Sequence, residues 1–214
     1  MVARPVLTCV LLALAACLLP ACDSAPRTLP PLEIYFSPHG GCTDAVVREI
    51  NAAQSSIRVQ AYSFTSTLIA NALIDAHKRG VDVKVILDKK ENREEYSLGE
   101  LLRDAGIPVA TDGIHAIAHN KIMILDGQVV LTGSFNFTKQ AEHSNAENLL
   151  VIRDQATAQQ YADNWLEHAA HSEPYTGAAS GAAKKGTPRG RQGGDGHGTH
   201  SGSRRSHHPG FSPL

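Results

Sequence analysis

The chain has 214 residues, with 20 Lys and Arg against 21 Asp and Glu, a formal net charge of −1, 42% hydrophobic residues and 5% aromatics. This near-neutral balance excludes a uniformly basic polyanion-binding chain, so any basic character must be local. The part of globular composition, about 140 residues, is long enough to bury one core and short for two domains.

Residues 1–25 combine a basic start at Arg4, an apolar run from Val6 to Leu19 and the polar exit Pro20-Ala21-Cys22-Asp23-Ser24. This is the pattern of a secretory signal. The run falls short of the roughly 20 residues that a spanning helix needs, with an uncleaved anchor as the competing reading. Leu14-Ala15-Ala16-Cys17 and Leu19-Pro20-Ala21-Cys22 both resemble lipoprotein processing sites. Cys22 is favoured because it stands where apolar residues yield to polar ones. An ordinary signal-peptidase site is the alternative, but no A-x-A precedes the polar region. The expected location is therefore the bacterial cell envelope, as a membrane-anchored lipoprotein or in the periplasm. Cys9, Cys17 and Cys22 all fall in this segment, which leaves Cys42 as a lone thiol expected to be buried rather than catalytic.

From residue 32 to 171, strand and helix patterns alternate. Ile34 to Ser37 reads as a strand, and Thr43 as the cap of a helix that buries Val46, Val47, Ile50 and Ala53. A strand from Ile57 to Phe64 precedes a helix capped by Ser66, with Leu68, Ile69, Ala72, Leu73 and Ala76 at helical spacing and Gly80 at its end. Val81 to Leu87 is a near-continuous apolar strand suited to a sheet covered on both faces. Ser97-Leu98-Gly99-Glu100 reads as a capping box for a short helix stopped by Gly106. Ile107 to Ala110 is a further strand candidate.

Asp126-Gly127 then separates two apolar runs and marks a two-residue hairpin turn. Pairing outward puts Leu125 opposite Gln128, Met123 opposite Val130, Lys121 opposite Thr132 and His119 opposite Ser134. Because side chains alternate, His119, Lys121, Ser134 and Asn136 are expected on one face at the hairpin's open end. Asp126 lies roughly 17 Å from Lys121 at about 3.3 Å per residue, so it reads as a turn former. Glu147 to Ile152 is the last strand, and Asp154 caps a helix with Tyr161 and Trp165 four residues apart. The expected fold class is α/β, a mixed and mostly parallel sheet sandwiched between helices.

From about Gly177 to residue 214, Gly, Ser, Arg and His dominate. Such a tail cannot bury enough surface to offset its ordering entropy and is expected to be disordered. Lys184, Lys185, Arg189, Arg191, Arg204 and Arg205 make it basic, attractive to nucleic-acid phosphates or anionic lipid headgroups alike. His197, His200, His207 and His208 fit a solvated tail better than a metal site.

The run His119-x-Lys121, four residues, Asp126, six residues, Gly133-Ser134-x-Asn136 resembles the H-x-K…D…G-S-x-N signature of the phospholipase D superfamily without a gap. Tyr35-Phe36-Ser37-Pro38, Gly41-Cys42-Thr43, Val59-Gln60-Ala61-Tyr62-Ser63-Phe64-Thr65 and Ala146-Glu147-Asn148 resemble its small single-motif bacterial endonucleases. The resemblance covers roughly residues 32–171 and implies a phospholipase D/nuclease-like fold. A bland hairpin with a stray His and Lys is the competing reading.

A phosphodiester needs its nonbridging oxygens neutralised, a nucleophile, and a proton for the departing oxygen. Lys121 and Asn136 suit the first need. His119 suits the second, attacking through a neutral ring nitrogen to form a phosphohistidine. Glu147 is the candidate acceptor for the other ring nitrogen and matches the glutamate the superfamily's endonucleases use there. Ser134 is a second candidate to orient the ring. One histidine cannot be nucleophile and acid in the same step, so a homodimer is expected in which two His119 side chains meet. The resemblance implies the same arrangement. No cofactor is expected, and chelator resistance follows.

Three functions remain open. A nonspecific endonuclease on DNA or RNA is favoured by the single motif, the small size and basic groups such as Lys89, Lys90 and Arg93. A phospholipase D acting on headgroups is favoured by the expected membrane anchor, against the low aromatic content and the lack of long apolar insertions. The third is a membrane-tethered nucleic-acid binder without turnover, against which the intact motif speaks.

Overall fold

The computed structural model describes residues 31–91 and 97–177. The expectations for the signal segment, Cys22, Arg93 and the basic tail lie outside the described residues. The elements in chain order are β1 (Leu32–Ser37), α1 (Cys42–Ala52), β2 (Ser56–Ala61), α2 (Thr67–Lys78), β3 (Asp82–Asp88), α3 (Gly99–Asp104) and β4 (Val109–Asp112). They continue with β5 (Lys121–Leu125), β6 (Val129–Gly133), α4 (Lys139–His143), β7 (Glu147–Arg153), α5 (Gln155–His171) and β8 (Glu173–Pro174).

The described strands form one mixed sheet in the order β1-β7-β6-β5-β2-β3-β4-β8. Helices flank it, as the α/β class requires, but parallel pairing is confined to β2–β3 and β3–β4. Every other neighbouring pair is antiparallel, because hairpin and return connections build the half of the sheet around β5, β6 and β7.

Side-chain alternation sorts the core into two layers. Met123, Leu125, Leu131, Val85 and Leu87 face the layer that contains Val46 and Ile50 of α1 and Ile69 and Leu73 of α2. Ile86, Ile122, Ile124 and Val130 face Ala158 and Trp165 of α5. Each buried aliphatic side chain contributes about 1.5–3 kcal/mol on removal from water. The Trp165 indole N–H donates to the Val59 carbonyl at 2.9 Å, which fixes α5 across the central strands.

Several local expectations are met. Ser66 accepts from the Ile69 amide, and the Asp154 carboxylate accepts from the Thr157 amide. Gly80 and Gly106 adopt positive φ after α2 and α3. Others are corrected. Thr43 does not cap α1. Gly41 is the N-cap, and the Glu142 carboxylate accepts from the amides of Gly41 at 3.1 Å and Thr43 at 2.7 Å. A distant carboxylate thus supplies the acceptors that the sequence assigned to a hydroxyl. The Ser97 capping box does not open α3, which starts at Gly99 with Leu98 at the cap. The short α4, capped by Thr138, and β8 were not expected.

The hairpin register is also corrected. Asp126 and Gly127 both take positive φ, and the Gln128 amide donates to the Leu125 carbonyl at 3.0 Å, as a two-residue turn requires. The ladder, however, pairs Leu125 with Val129, Ile124 with Val130 and Met123 with Leu131. Gln128 is an extra residue on the second strand, so every expected partner moves by one. The turn is anchored from outside the hairpin. The Asp126 carboxylate accepts from the amides of Gln54, Ser55 and Ser56 and the Ser55 hydroxyl, and its own amide donates to the Ser56 carbonyl. Burial works to raise its pKa, but these backbone donors hold it below the ordinary carboxylate value.

At the sheet's β1 edge, Arg153 of β7 donates to both oxygens of Glu49 at 2.7 and 2.8 Å and to Glu33 at 2.8 Å. Arg48 bonds the same two carboxylates from α1. The Tyr35 hydroxyl and Arg153 lower the Glu33 pKa from 4.5 to about 2. Burial opposes the arginines at Glu49, yet its pKa is also lowered.

Arg153→Ala is expected to cost about 2–3 kcal/mol in urea unfolding at pH 7, because Glu49 is only 5% exposed and loses two charge-assisted bonds. The folded pKa values lie below the unfolded ones, so the unfolded chain binds more protons on acidification. The network's stabilisation is present above about pH 4.5 and is lost as the pH falls toward about 2, and the cost of the substitution should shrink over that window. Asp126→Ala should lower stability by about 1–3 kcal/mol, since it orphans donors of the α1–β2 loop. An unchanged unfolding midpoint would remove Asp126 from this role.

Candidate active site

The two strands of the hairpin part company before they reach the motif's ends. Pairing between β5 and β6 stops at Met123–Leu131. Beyond it, Lys121 keeps its partner Ala61 on β2, while Gly133 keeps Leu149 on β7. A pocket of about 320 Å³ opens there, lined by His119, Lys121, Gly133, Ser134, Asn136 and Glu147. The expected residues therefore converge, but not by sharing one ladder face. Residues of opposite strand parity reach the pocket because the strands splay around it.

Gly133 makes the exit from β6 possible. Its φ is 149°, and a Cβ there would lie 2.2 Å from the Asn148 carbonyl oxygen. Without a side chain, the backbone approaches β7 closely enough for that carbonyl to accept from the amides of both Ser134 and Phe135. Phe135 and Phe137 then alternate into the core, each 1% exposed, and leave Ser134 and Asn136 at the pocket. Phe137 bridges to Phe64 just after β2, which closes this segment against the opposite strand.

Ser134 does not sit across the ladder from His119. Its hydroxyl accepts from the Asn148 amide at 3.0 Å and from the Asn148 side-chain amide at 3.3 Å, so it ties the G-S-x-N turn to β7. The His119 ring instead packs on Tyr62, with centroids 4.5 Å apart and planes tilted by 55°. Tyr62 also lies under the Lys121 ammonium, 5.0 Å from the ring centroid. Tyr62 belongs to the flanking run Val59–Thr65. Its position directly after β2, the strand paired with β5, is the signal that places it.

Lys121 is 6% exposed and donates to the His119 carbonyl at 2.6 Å. Burial pulls its pKa below the ordinary lysine value, and the Glu147 carboxylate works against that shift. Glu147 opens β7 and accepts from the Asn145 side chain at 3.1 Å. Among the described residues, no hydrogen bond joins Glu147 to His119. Asn136 Oδ1 is buried without a hydrogen-bond partner, an unspent amide atom at the pocket. Asp126 lies at the far end of the hairpin, as its turn role requires.

Cys42 is fully buried and free, and burial pushes its thiol up to about 11, which fits packing rather than nucleophilic chemistry. Lys89 and Lys90, basic groups that read equally as solvated loop charges, make exposed bonds within the chain. Lys89 pairs with Glu173 at 2.9 Å and Lys90 donates to the Ala116 carbonyl at 3.1 Å. Larger clefts of about 570 and 700 Å³ share Thr65, Thr67, Lys139 and His143 and contain none of the motif residues.

A family model described as "Cardiolipin synthase, PLD-like domain" matches residues 46–168. A phospholipase D from Rickettsia typhi is 44% identical over 135 residues, 63% of this chain and 66% of that protein. A mitochondrial cardiolipin hydrolase from Xenopus laevis is 38% identical over 113 residues, 53% of this chain and 54% of that protein. The chain thus spans between half and two thirds of the length of these relatives. The crystal structure of the phospholipase D family member Nuc from Salmonella typhimurium superposes with a TM-score of 0.66 at 39% identity, covering 68% of this chain and 98% of that one. With over half of its residues matched by the family model and the same fold in Nuc, this chain belongs to the phospholipase D superfamily and is a phosphodiesterase of that superfamily.

Proposed function

We propose that the protein is a metal-independent endonuclease acting on DNA or RNA through a phosphohistidine intermediate, with one active site shared by two chains. The observation that carries this reading is the pocket itself. It brings an exposed imidazole, a buried ammonium and a side-chain amide around a space of about 320 Å³, with no apolar trench for acyl chains among its lining residues.

In this reading a neutral nitrogen of His119 attacks phosphorus, a P–N bond forms, and the bond to the leaving oxygen breaks. The protonated His119 of the second chain gives its proton to that oxygen. Water, deprotonated by the same second histidine, then attacks phosphorus and releases the first. Lys121 and the Asn136 amide neutralise the nonbridging oxygens, and the low exposure of Lys121 strengthens its field at phosphorus. Glu147 is the carboxylate proposed to hold the remaining ring nitrogen, and Tyr62 buttresses the imidazole. The dimer is supported by Leu32, Ile34 and Phe36, 50%, 52% and 66% exposed along edge strand β1. Phe36 pairs with Asn148 and Ser37 with Glu147, so this apolar stripe runs up to the site.

Attachment to the envelope through Cys22 is part of the proposal. Among the described residues no helix is long and apolar enough to cross a membrane, so that attachment rests on the N-terminal segment. A phospholipid substrate is the second reading, favoured by the Rickettsia relative's name and by Ile114 and Ile117, 68% and 57% exposed shortly before His119.

Plasmid DNA, RNA and phosphatidylcholine vesicles, each in excess chelator, should separate these readings. Nucleic-acid cleavage is expected to persist in chelator, to fall by about 10⁴-fold or more in His119→Ala and by about 10²–10³-fold in Lys121→Ala. Headgroup release without nucleic-acid cleavage would transfer the assignment to lipid, and turnover of none of the three would leave a binding role. Wild-type chains re-equilibrated with His119→Ala chains should show activity that follows the square of the wild-type fraction. A linear dependence would mean that one chain suffices.

A further inference from the structure

Among the described residues, Asp112, His115, His168 and His171 each offer one ligand atom, and those atoms lie within 4.8 Å of one another. Asp112 ends β4, and His115 follows it by three residues in the loop that leads to His119. His168 and His171 stand on consecutive turns at the end of α5, on the face that Trp165 presents to the sheet. Three ring nitrogens converge on one carboxylate oxygen: His115 Nδ1 and His168 Nδ1 at 2.8 Å and His171 Nε2 at 3.3 Å from Asp112 Oδ2. The rings cluster around it, tilted by 39°, 56° and 60° with centroids 4.9, 5.3 and 5.4 Å apart.

This geometry is poor as a hydrogen-bonded cluster and good as a ligand set. A carboxylate oxygen has two lone pairs, so three N–H donors crowd one acceptor. A cation at the centre removes the crowding, because three imidazole lone pairs and one carboxylate lone pair then point inward. In a tetrahedral site with metal–ligand bonds of about 2.0–2.2 Å, the ligand atoms stand about 3.4 Å apart. To reach that spacing the nitrogens move slightly away from Asp112 Oδ2, from 2.8–3.3 Å, while the ligand atoms standing up to 4.8 Å apart draw together. Asp112 Oδ1 is already occupied by the amides of Ile114 at 3.2 Å and His115 at 3.4 Å, which orients the carboxylate as a metal ligand's outer contacts do. The Asp112 side chain is fully buried, while His115 is 46% exposed, giving an ion a route in from solvent.

We propose that Asp112, His115, His168 and His171 form a four-ligand site for a divalent transition ion, zinc by preference. Three imidazoles and one carboxylate match the ligand types of zinc, and four protein ligands close its shell, which makes the site structural rather than catalytic. The ion staples the loop of residues 113–120 to the C-terminal turn of α5. That loop carries Ile114 and Ile117 and leads to His119; the ion stabilises its attachment to α5 without entering the reaction, so chelation lowers Tm while cleavage persists.

The test uses the full chain, stripped with chelator and titrated with zinc chloride, beside His168→Ala/His171→Ala and His115→Gln. The stripped protein should bind one zinc per chain with sub-micromolar affinity and rise in Tm by about 5–10 °C. Cobalt(II) in place of zinc should give the intense visible bands of a tetrahedral site. Both variants retain the tail histidines, so loss of the tight equivalent, the Tm rise and the cobalt bands in the variants locates the ion at the cluster. His115→Gln alters an exposed loop side chain and reports even where the double variant does not fold. Equal zinc binding and an equal Tm rise in wild type and His115→Gln would overturn the proposal, as would the absence of a stoichiometric site in the wild type.

Discussion

The active pocket exists because β5 and β6 separate beyond Met123 and Leu131 while each stays paired on its outer side. A sheet that opens between two central strands leaves backbone groups to satisfy, and this chain satisfies them through β7. The Asn148 carbonyl serves two amides of the departing strand, and Ser134 receives the Asn148 N–H groups in return. Only a glycine at position 133 lets the two backbones come close enough. The buried Phe135 and Phe137 then anchor the segment, so its polar residues face the gap. The serine of the motif is thus a structural tie, and the histidine, lysine and asparagine surround the space that the tie holds open.

The remaining motif residue acts at the other end of the hairpin. Asp126 gathers three consecutive amides from the α1–β2 loop, which locks the turn to the start of β2. Because β2 pairs with β5 along its length, fixing the turn fixes how far β5 projects and therefore where Lys121 ends. One carboxylate about 17 Å from Lys121 sets the register on which the pocket's geometry depends. Glu142 does comparable work for α1, capping it from the segment that follows the motif. Each of these carboxylates joins parts of the chain far apart in sequence, which couples the hairpin to the helices on one face.

Several charged groups that look free in the sequence are paired on the surface of the fold. Lys89 and Lys90 bind within the chain, and Arg48 and Arg153 serve Glu33 and Glu49. The histidines divide differently. His119 stands exposed at the pocket, whereas His115, His168 and His171 collect around a buried aspartate on the β4–α5 side. The first lines the motif pocket, and the other three join the loop after β4 to the end of α5.

The sequence by itself determined what depends on local spacing. Period-2 and period-3.6 patterns marked most strands and helices, Ser66 and Asp154 marked their caps, and Asp126-Gly127 marked the turn. The contiguous motif marked five of the pocket's six residues, because His119 and Lys121 flank the start of β5 and Gly133, Ser134 and Asn136 lie at and just beyond the end of β6. Tertiary structure decided what depends on residues distant in sequence. The turn at Asp126 is tied to residues 54–56, the engagement of Ser134 with Asn148 follows from β7, and the packing of Tyr62 on His119 follows from the pairing of β2 with β5. Asp112-x-x-His115 and His168-x-x-His171 are each visible in the chain as a pair. Their meeting required α5 to cross the sheet and end beside β4, a packing choice made by Trp165 and its neighbours rather than by any local signal.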